Sequence, residues 1–405
     1  MIVDLPTPQG TLGTYELAGA PDDPAPRGRA APFNRLVFAA AHVVASADAT
    51  GRAAHPASPE AIDWDATHRF REHLWSLGFG IAEAMDTAQR ETLGWDNSAR
   101  LMARTLAAAA REPARMVIAG AGVDHLATRE VSLAGLIDAY LVQVEWIHDR
   151  GGRAILFPTA ILPGRFPEPR HYVEVYRTVS ARASKPVFVH WLGESFAPAL
   201  KGYFPGASFR DIMRDNPGML GVKLSLLDEA TEVSIRRDLA RDGQIVLTGD
   251  DFNFPPLIRG TDRAPDVGRF EFEGRSYPLG DHSHALLGIF DGIATVASRA
   301  LSHLAAGDGG AFDRLLAPTI PLSRHIFRAP TLHYKAGLVF LAHLNGHQPA
   351  FHLLDDVERT RDLAHYAELF RLANAAGVLD DPEAAYQRFL PLLHAGGFRA
   401  ARRHG

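Results

Sequence analysis

Eight short apolar runs, separated by longer segments of helical periodicity, constrain this 405-residue chain more than any other feature. The runs are RLVFAAAH ending at His42, LGFGIAEA at Ala84, RMVIAGAG at Gly122 and RAILFPT at Thr159, then KPVFVHW at Trp191, MLGVKLS at Ser225, QIVLTGD at Asp250 and HALLGIF at Phe290. A strand buried on both faces reads as a continuous apolar run, and strands that alternate with helices pair in parallel. The intervening segments carry helix signals. DWDATHRFREHLWSL opens on acidic residues that suit a helix N-terminus, as does DEATEVSIRRDLARDG, which ends on Gly243 as a C-cap would. DNSARLMARTLAAAARE and SLAGLIDAYLVQVEWIHDR have the same character. Eight strands in this alternation predict an α/β fold, a closed (β/α)8 TIM barrel. A doubly wound open sheet is the alternative, but no run is followed by the G-x-G-x-x-G turn that would support it.

Both flanks of the barrel depart from this pattern. Alternation in TLGTYEL, with the turn-forming PQG before it, predicts a β-hairpin, and APDDPAPRGRAAP reads as a linker. Residues 1–34 are therefore expected to be hairpin and linker, 35–306 the barrel, and 307–405 a helical extension. Within the barrel, residues 260–283 read as an inserted loop with a hairpin turned at Glu273-Gly274, expected either as a lid over the site or as surface decoration.

Composition excludes several function classes. The chain has no cysteine, which removes disulfides, thiolate catalysis and thiolate metal sites. A net charge of −5 offers no electrostatic reason to bind nucleic acid or an anionic membrane. The N-terminus lacks the basic-then-apolar order of a secretory signal, and no apolar run approaches the ~20 residues of a membrane span, so the expected location is the cytoplasm.

Barrel chemistry sits where strands end, so the polar residues closing the runs are the candidates for substrate contact. They are His42, Glu83 and Asp86, Asp124 with His125, Thr159, His190, Lys223 and the pair Asp250-Asp251; His284 opens the eighth run. Each also has a plain structural reading: a hydrogen-bonded histidine, a helix-capping aspartate, a paired glutamate, a threonine that turns the chain after Pro158. Lys223 stands apart. The chain has only the lysines Lys185, Lys201, Lys223 and Lys335, its other basic side chains being arginine. Arginine cannot lose its proton, whereas a buried lysine can. Lowering a lysine by about three pKa units, roughly 4 kcal/mol, makes it a nucleophile near pH 7, able to form a Schiff base with a carbonyl compound. A lysine salt-bridged to Asp250 or Glu83 is the competing reading.

The segment GMLGVKLSLLDEATEVSIRRDL resembles the sixth-strand region of the dihydrodipicolinate synthase and N-acetylneuraminate lyase superfamily, whose Schiff-base lysine then falls on Lys223. KPVFVHW resembles the fifth strand, MVIAGAGVDH the third and VLTGDD the seventh, and the tail through HYKAGLVFLAHLNG resembles the family's helical tail. AAAHVVA, WSLGFGIAEAMDTAQ, VHWLG, TGDDFN and PLSRHIFRAPT more narrowly resemble the DUF993 group of that superfamily. The second-strand G-T-T-G-E that binds the substrate carboxylate is replaced here by GIAEAMDTAQ, which removes the main reason to expect a pyruvate-like acid. The proton-relaying tyrosine falls on His190, and histidine relays protons near neutral pH.

The resemblance implies a class I (Schiff-base) aldolase or dehydratase-type lyase acting on a small polar carbonyl compound such as a keto-sugar or sugar acid. Lys223 would be the nucleophile and His190 the acid/base, with His42, Glu83, Asp86, Thr159, Asp250, Asp251 and His284 as substrate contacts. No cofactor is expected, and the chain is expected to form homo-oligomers, as the family's members do. A metal-dependent lyase or isomerase is the alternative, with His42, Glu83, His190 and Asp250 as ligands to Zn²⁺, Mn²⁺ or Mg²⁺. A non-catalytic binding protein is the third reading.

Overall fold

The computed structural model describes residues 1–7, 9–18, 32–46, 58–261, 267–398 and 402–403. The chain divides into two compact units. One comprises residues 32–41 and 78–288, the other Met1–Ala31, His42–Leu77 and Ile289–Gly405.

Strands β1 (Ile2–Pro6) and β2 (Leu12–Glu16) form the expected N-terminal hairpin. All eight apolar runs then form strands: β3 (Val37–Ala40), β4 (Gly80–Glu83), β5 (Val117–Ala121), β6 (Arg153–Leu156), β7 (Val187–Leu192), β8 (Met219–Ser225) and β9 (Ile245–Thr248). After the hairpin strands β10 (Gly268–Phe272) and β11 (Arg275–Leu279), β12 (His284–Leu287) supplies the eighth. It pairs in parallel with both β3 and β9, closing the barrel in the order β12-β3-β4-β5-β6-β7-β8-β9. The strands are buried almost throughout, which is why they read as unbroken apolar runs. Helices Arg90–Ala109, Leu133–His148, Pro169–Arg182 and Glu229–Arg241 flank them. Ser132 and Asp228 cap two of these by accepting from the amides of Gly135 and Thr231, and Gly243 takes φ +73° where the last one stops.

The inserted hairpin turns where the sequence marks it. Phe272 pairs with Arg275, and Glu273 and Gly274 both have positive φ (48° and 72°), the signature of a type I′ turn. Its place is that of neither a lid nor a surface decoration, the two readings the sequence offered. Phe270, Phe272, Tyr277 and Leu279 join Leu36, Phe38, Met116 and Phe188 in the barrel core. The Phe272 ring lies 6.1 Å from Phe38 and 5.8 Å from Phe188, and Glu273 pairs with Arg153 at 2.5 Å. Each of these partners just precedes its strand or is one of its first two residues. The hairpin therefore plugs the N-terminal end of the barrel, opposite the strand ends that carry Lys223; its alternating apolar face had to be buried, and it is buried there.

In the other unit, the hairpin β1–β2 gains a third strand, β13 (Arg402–Arg403), which sequence reasoning did not foresee. Tyr386 donates to the Asp4 carbonyl at 3.0 Å and Arg371 to the Pro6 carbonyl at 2.5 Å, so the C-terminal helices hold the hairpin. Most of the expected linker, residues 19–31, lies outside the described residues. No helix among the described residues is long and apolar enough to cross a membrane.

Candidate active site

Side chains alternate between the faces of a strand, so inward positions can be counted from residues that meet in the barrel core. Phe38, Ala40, Ala82, Ile118, Ile155, Phe188, Ile245, Leu247 and Leu286 set the phase. On β7 the count from Phe188 reaches His190. On β8 Lys223 is the direct register partner of His190 and of Leu247, so lysine and histidine project into the barrel side by side. Gly249, two past Leu247, falls on the same face. A Cβ there would lie 2.3 Å from Ser225 Oγ and 2.9 Å from Lys223 Cε, so this glycine supplies the space the lysine side chain occupies. Its role is room, since its φ is not in the left-handed region.

The burial of this pair sets its electrostatics. Lys223 is 8% exposed, and desolvation pulls its pKa from 10.5 to about 8, against the carboxylates of Asp251 and then Asp86, which raise it. Desolvation, followed by the positive charge of Lys223, holds His190 well below 6.5. At pH 7 the imidazole is neutral and about a tenth of the lysine is free amine. His190 Nε2 lies 3.2 Å from Ser225 Oγ, and the Phe157 ring stands 6.0 Å from the imidazole.

The structure thus sets Lys223 beside His190, with Asp251 and then Asp86 acting on the lysine through their charge, while several other candidates of the same unit point elsewhere. Glu83 follows the inward Ala82 and so faces the helix Arg90–Ala109, where it accepts from Thr105 Oγ1 at 2.5 Å and from the amide of Ala84 at 2.9 Å. Asp250 is likewise out of phase. Its carboxylate accepts from the amides of Phe252 (2.9 Å) and Asn253 (3.0 Å) and from Asn253 Nδ2 (2.9 Å), which holds the turn ahead of the helix Phe254–Arg259; the cap position of that helix is Asn253, so Asp250 does not cap it. Neither forms a salt bridge to Lys223 in this arrangement. Thr159 turns the chain: its Oγ1 accepts from the Ile161 amide at 3.3 Å and its own amide donates to Tyr203 Oη at 3.1 Å. His284 opens β12 at the plugged end, with Phe270 and Tyr277 6.3 and 6.0 Å away, and its Nδ1 accepts from the Leu36 amide at 2.9 Å. That places it at the wrong end of the barrel for the site. His42 belongs to the other unit. Asp291 takes its Nδ1 at 2.8 Å and Gln348 its Nε2 at 3.1 Å, so both ring nitrogens are engaged.

Sequence reasoning missed Ser225 and Gly249, which are small and lie within otherwise ordinary apolar runs. It also missed a half-buried ion pair behind Phe157. Arg90 grips Asp124 through Nε (3.0 Å) and Nη2 (2.9 Å), donates to the Gly120 carbonyl and to Gln143 Oε1 (both 2.7 Å), and lies 5.3 Å from the Phe157 ring. The signal was available in AGVDH, where Asp124 follows the third strand. Among the described residues, no group of three or more His, Asp or Glu side chains is arranged to hold a metal ion. The four-ligand set His42, Glu83, His190 and Asp250 is accordingly corrected: Glu83 and Asp250 point out of the barrel into hydrogen bonds of their own.

Solved structures share this architecture. A prophage protein of the dihydrodipicolinic acid synthase family from E. coli K12, solved in complex with pyruvate, superposes with a TM-score of 0.59 at 12% identity, covering 85% of this chain and 99% of its own. A monomeric dihydrodipicolinate synthase variant gives 0.58 at 17% identity, covering 85% and 97%. The sialic acid aldolase of Ruminococcus gnavus gives 0.57 at 14% identity, covering 88% and 99%. At these identities the likeness is one of fold, a dihydrodipicolinate synthase-like barrel. No curated protein sequence matches the chain. The model of the family described as "Protein of unknown function (DUF993)" matches residues 3–398, and the chain belongs to that family.

Proposed function

We propose that this protein is a class I aldolase-type lyase in which Lys223 forms an imine with a small carbonyl substrate and His190 moves the proton. The observation that carries this reading is the inward, buried pairing of Lys223 with His190 at the strand ends, with the amine brought to a pKa of about 8 and the imidazole held neutral. The free amine adds to the carbonyl carbon. One amine proton and one proton from solvent leave with the carbonyl oxygen as water, giving a protonated imine. The pair of electrons from the scissile carbon–carbon bond then flows into the iminium nitrogen as an enamine, while neutral His190 accepts the proton of the departing hydroxyl. Ser225, hydrogen-bonded to Nε2, orients the imidazole for that transfer. This route calls on no metal or organic cofactor.

The fold of the sialic acid aldolase and of the pyruvate-bound prophage protein supports the same reading. Reduction with cyanoborohydride in the presence of an accepted ketone should place a covalent adduct on Lys223, located by peptide mass spectrometry. An accepted substrate that is turned over without any trappable adduct would overturn the imine mechanism.

A further inference from the structure

We propose that Phe157 is the residue that limits substrate size, its ring walling the Lys223 pocket on the side of β5 so that the site takes compact carbonyl compounds; this rests on Lys223 being the imine-forming amine. Strand register puts the ring in the layer of the reactive pair. Leu156 pairs with Ala121 on one side and with Val189 on the other. The Phe157 amide continues that ladder by donating to the Ala121 carbonyl at 2.8 Å. One step on, Phe157 stands beside Gly122 and His190, and His190 is itself paired with Lys223. Inward phase gives the same result, since Phe157 lies two residues past the inward Ile155.

The neighbouring strand contributes only space. The inward positions that end β5 are Gly120 and Gly122, two past and four past the inward Ile118. The Phe157 ring occupies the room they leave. A Cβ on Gly120 would meet its Cε2 at 2.6 Å and its Cε1 at 2.8 Å, and one on Gly122 would meet its Cδ2 at 3.7 Å. The ring therefore already lies against the β5 backbone and has no further retreat in that direction. Behind it, the Arg90 guanidinium lies 5.3 Å from the ring and donates to the Gly120 carbonyl at 2.7 Å. The His190 imidazole lies 6.0 Å from the ring centre. The backbone that carries the ring is fixed as well. Tyr140 Oη donates to the Phe157 carbonyl at 2.5 Å, and the Thr159 amide donates to Tyr203 Oη, which lies 2.9 Å from Tyr176 Oη. All three tyrosines are buried. A substituent on the imine carbon that points towards β5 thus meets a large side chain held on both flanks, and close-packed groups of this kind exclude by volume.

The full-length protein is incubated at pH 8 with cyanoborohydride and either butan-2-one or 4-phenylbutan-2-one, two methyl ketones that differ in bulk beyond the carbonyl. Adduct formation at Lys223 is followed by mass spectrometry, each rate divided by that of Nα-acetyl-lysine in solution. Wild type should favour butan-2-one by about tenfold or more, within the range that pocket size commonly enforces. Phe157→Ala, which clears the space over Gly120, should narrow that ratio about fivefold, and Phe157→Leu, which keeps more of the packing, by less. Equal labelling of wild type by the two ketones overturns Phe157 as the limiting wall while leaving the imine-forming lysine in place. So does a ratio unchanged in both variants when their circular dichroism spectra match wild type. Absence of any Lys223 adduct with both ketones overturns the imine reading and this inference with it.

Discussion

At its N-terminal end the barrel is filled by Phe270, Phe272, Tyr277 and Leu279 of the inserted hairpin, packed on Phe38, Met116 and Phe188, whereas at its C-terminal end the inward positions are Lys223, His190 and Gly249. Each end holds a buried histidine with its pKa depressed by desolvation, but the two are used differently. His284 accepts a hydrogen bond from the Leu36 amide and serves the plug, while His190 stands beside a lysine and a serine. The energetics run in opposite directions. Each large side chain buried in the plug contributes about 1.5–3 kcal/mol to stability. Burying Lys223 costs stability instead. Its shift from 10.5 to about 8 corresponds to about 3 kcal/mol at about 1.4 kcal/mol per unit. One end of the barrel holds the fold together and the other stores a destabilised charge.

The sharpest way to break this contrast is Lys223→Met. Adduct formation should vanish altogether, while the protein becomes more stable at pH 7, by up to about 3 kcal/mol. The sign follows from linkage. The unfolded lysine titrates at 10.5 and the folded one at about 8, so the folded state binds fewer protons between those values and wild-type stability rises with pH across that window. The advantage of Lys223→Met over wild type, measured by chemical denaturation, should therefore be complete below pH 8 and shrink as pH approaches 10. A destabilised Lys223→Met at pH 7 would mean that the ammonium is satisfied in the folded state and not strained.

Gly249→Ala comes next. Its Cβ would meet Ser225 Oγ at 2.3 Å, the Leu224 carbonyl at 2.8 Å and Lys223 Cε at 2.9 Å, so the lysine must move. A displacement near 1 Å at a reacting group costs about 10²-fold, and cyanoborohydride trapping should slow by that order. Unchanged trapping would show that the amine does not need the position it holds.

Phe272→Ala tests the other end. Deleting a buried phenylalanine costs about 3–5 kcal/mol, so the denaturation midpoint should fall well below wild type. Below its transition the variant should label Lys223 at the wild-type rate, because the plug touches neither the lysine nor His190. Stability lost with labelling kept is the inverse of Lys223→Met, and labelling lost in a folded Phe272→Ala would deny that the two ends are separable.

Most of the fold was legible because parallel strands buried on both sides leave unbroken apolar runs, and all eight formed. The Glu273-Gly274 turn was legible for a similarly local reason: both residues must take positive φ. The destination of that hairpin was not, since the alternation of Phe270, Phe272, Tyr277 and Leu279 demands burial without saying at which end. In the candidate site, Lys223, His190, Asp86 and Asp251 entered the reading by asking which polar residues close the strands. Glu83, Asp250 and His284 were drawn in by the same question because it ignores phase and direction. Glu83 lies one residue beyond the inward Ala82, Asp250 one beyond Gly249, and His284 begins its strand instead of ending it. Counting by two from Ala82 and Leu247 separates the first two at once, but that phase is known only when the core is seen.

The smallest expected effect belongs to Ser225→Ala. Ser225 Oγ lies 3.2 Å from His190 Nε2, and no acceptor or donor on the lysine depends on it, so the hydroxyl acts through the imidazole alone. Imine formation needs the free amine of Lys223, and its rate should rise about tenfold per pH unit below about 8 and level above it, in the variant as in wild type. The later proton transfer needs a correctly oriented His190 and should slow several-fold, within the 10²–10⁴ that a general base can contribute. The variant should therefore trap adduct at the wild-type rate and keep the same pH profile, while turnover of an accepted substrate falls with its KM unchanged. A loss in trapping equal to the loss in turnover would place Ser225 on the lysine's step and not on the histidine's, and would move the proton-handling role away from the Ser225–His190 pair.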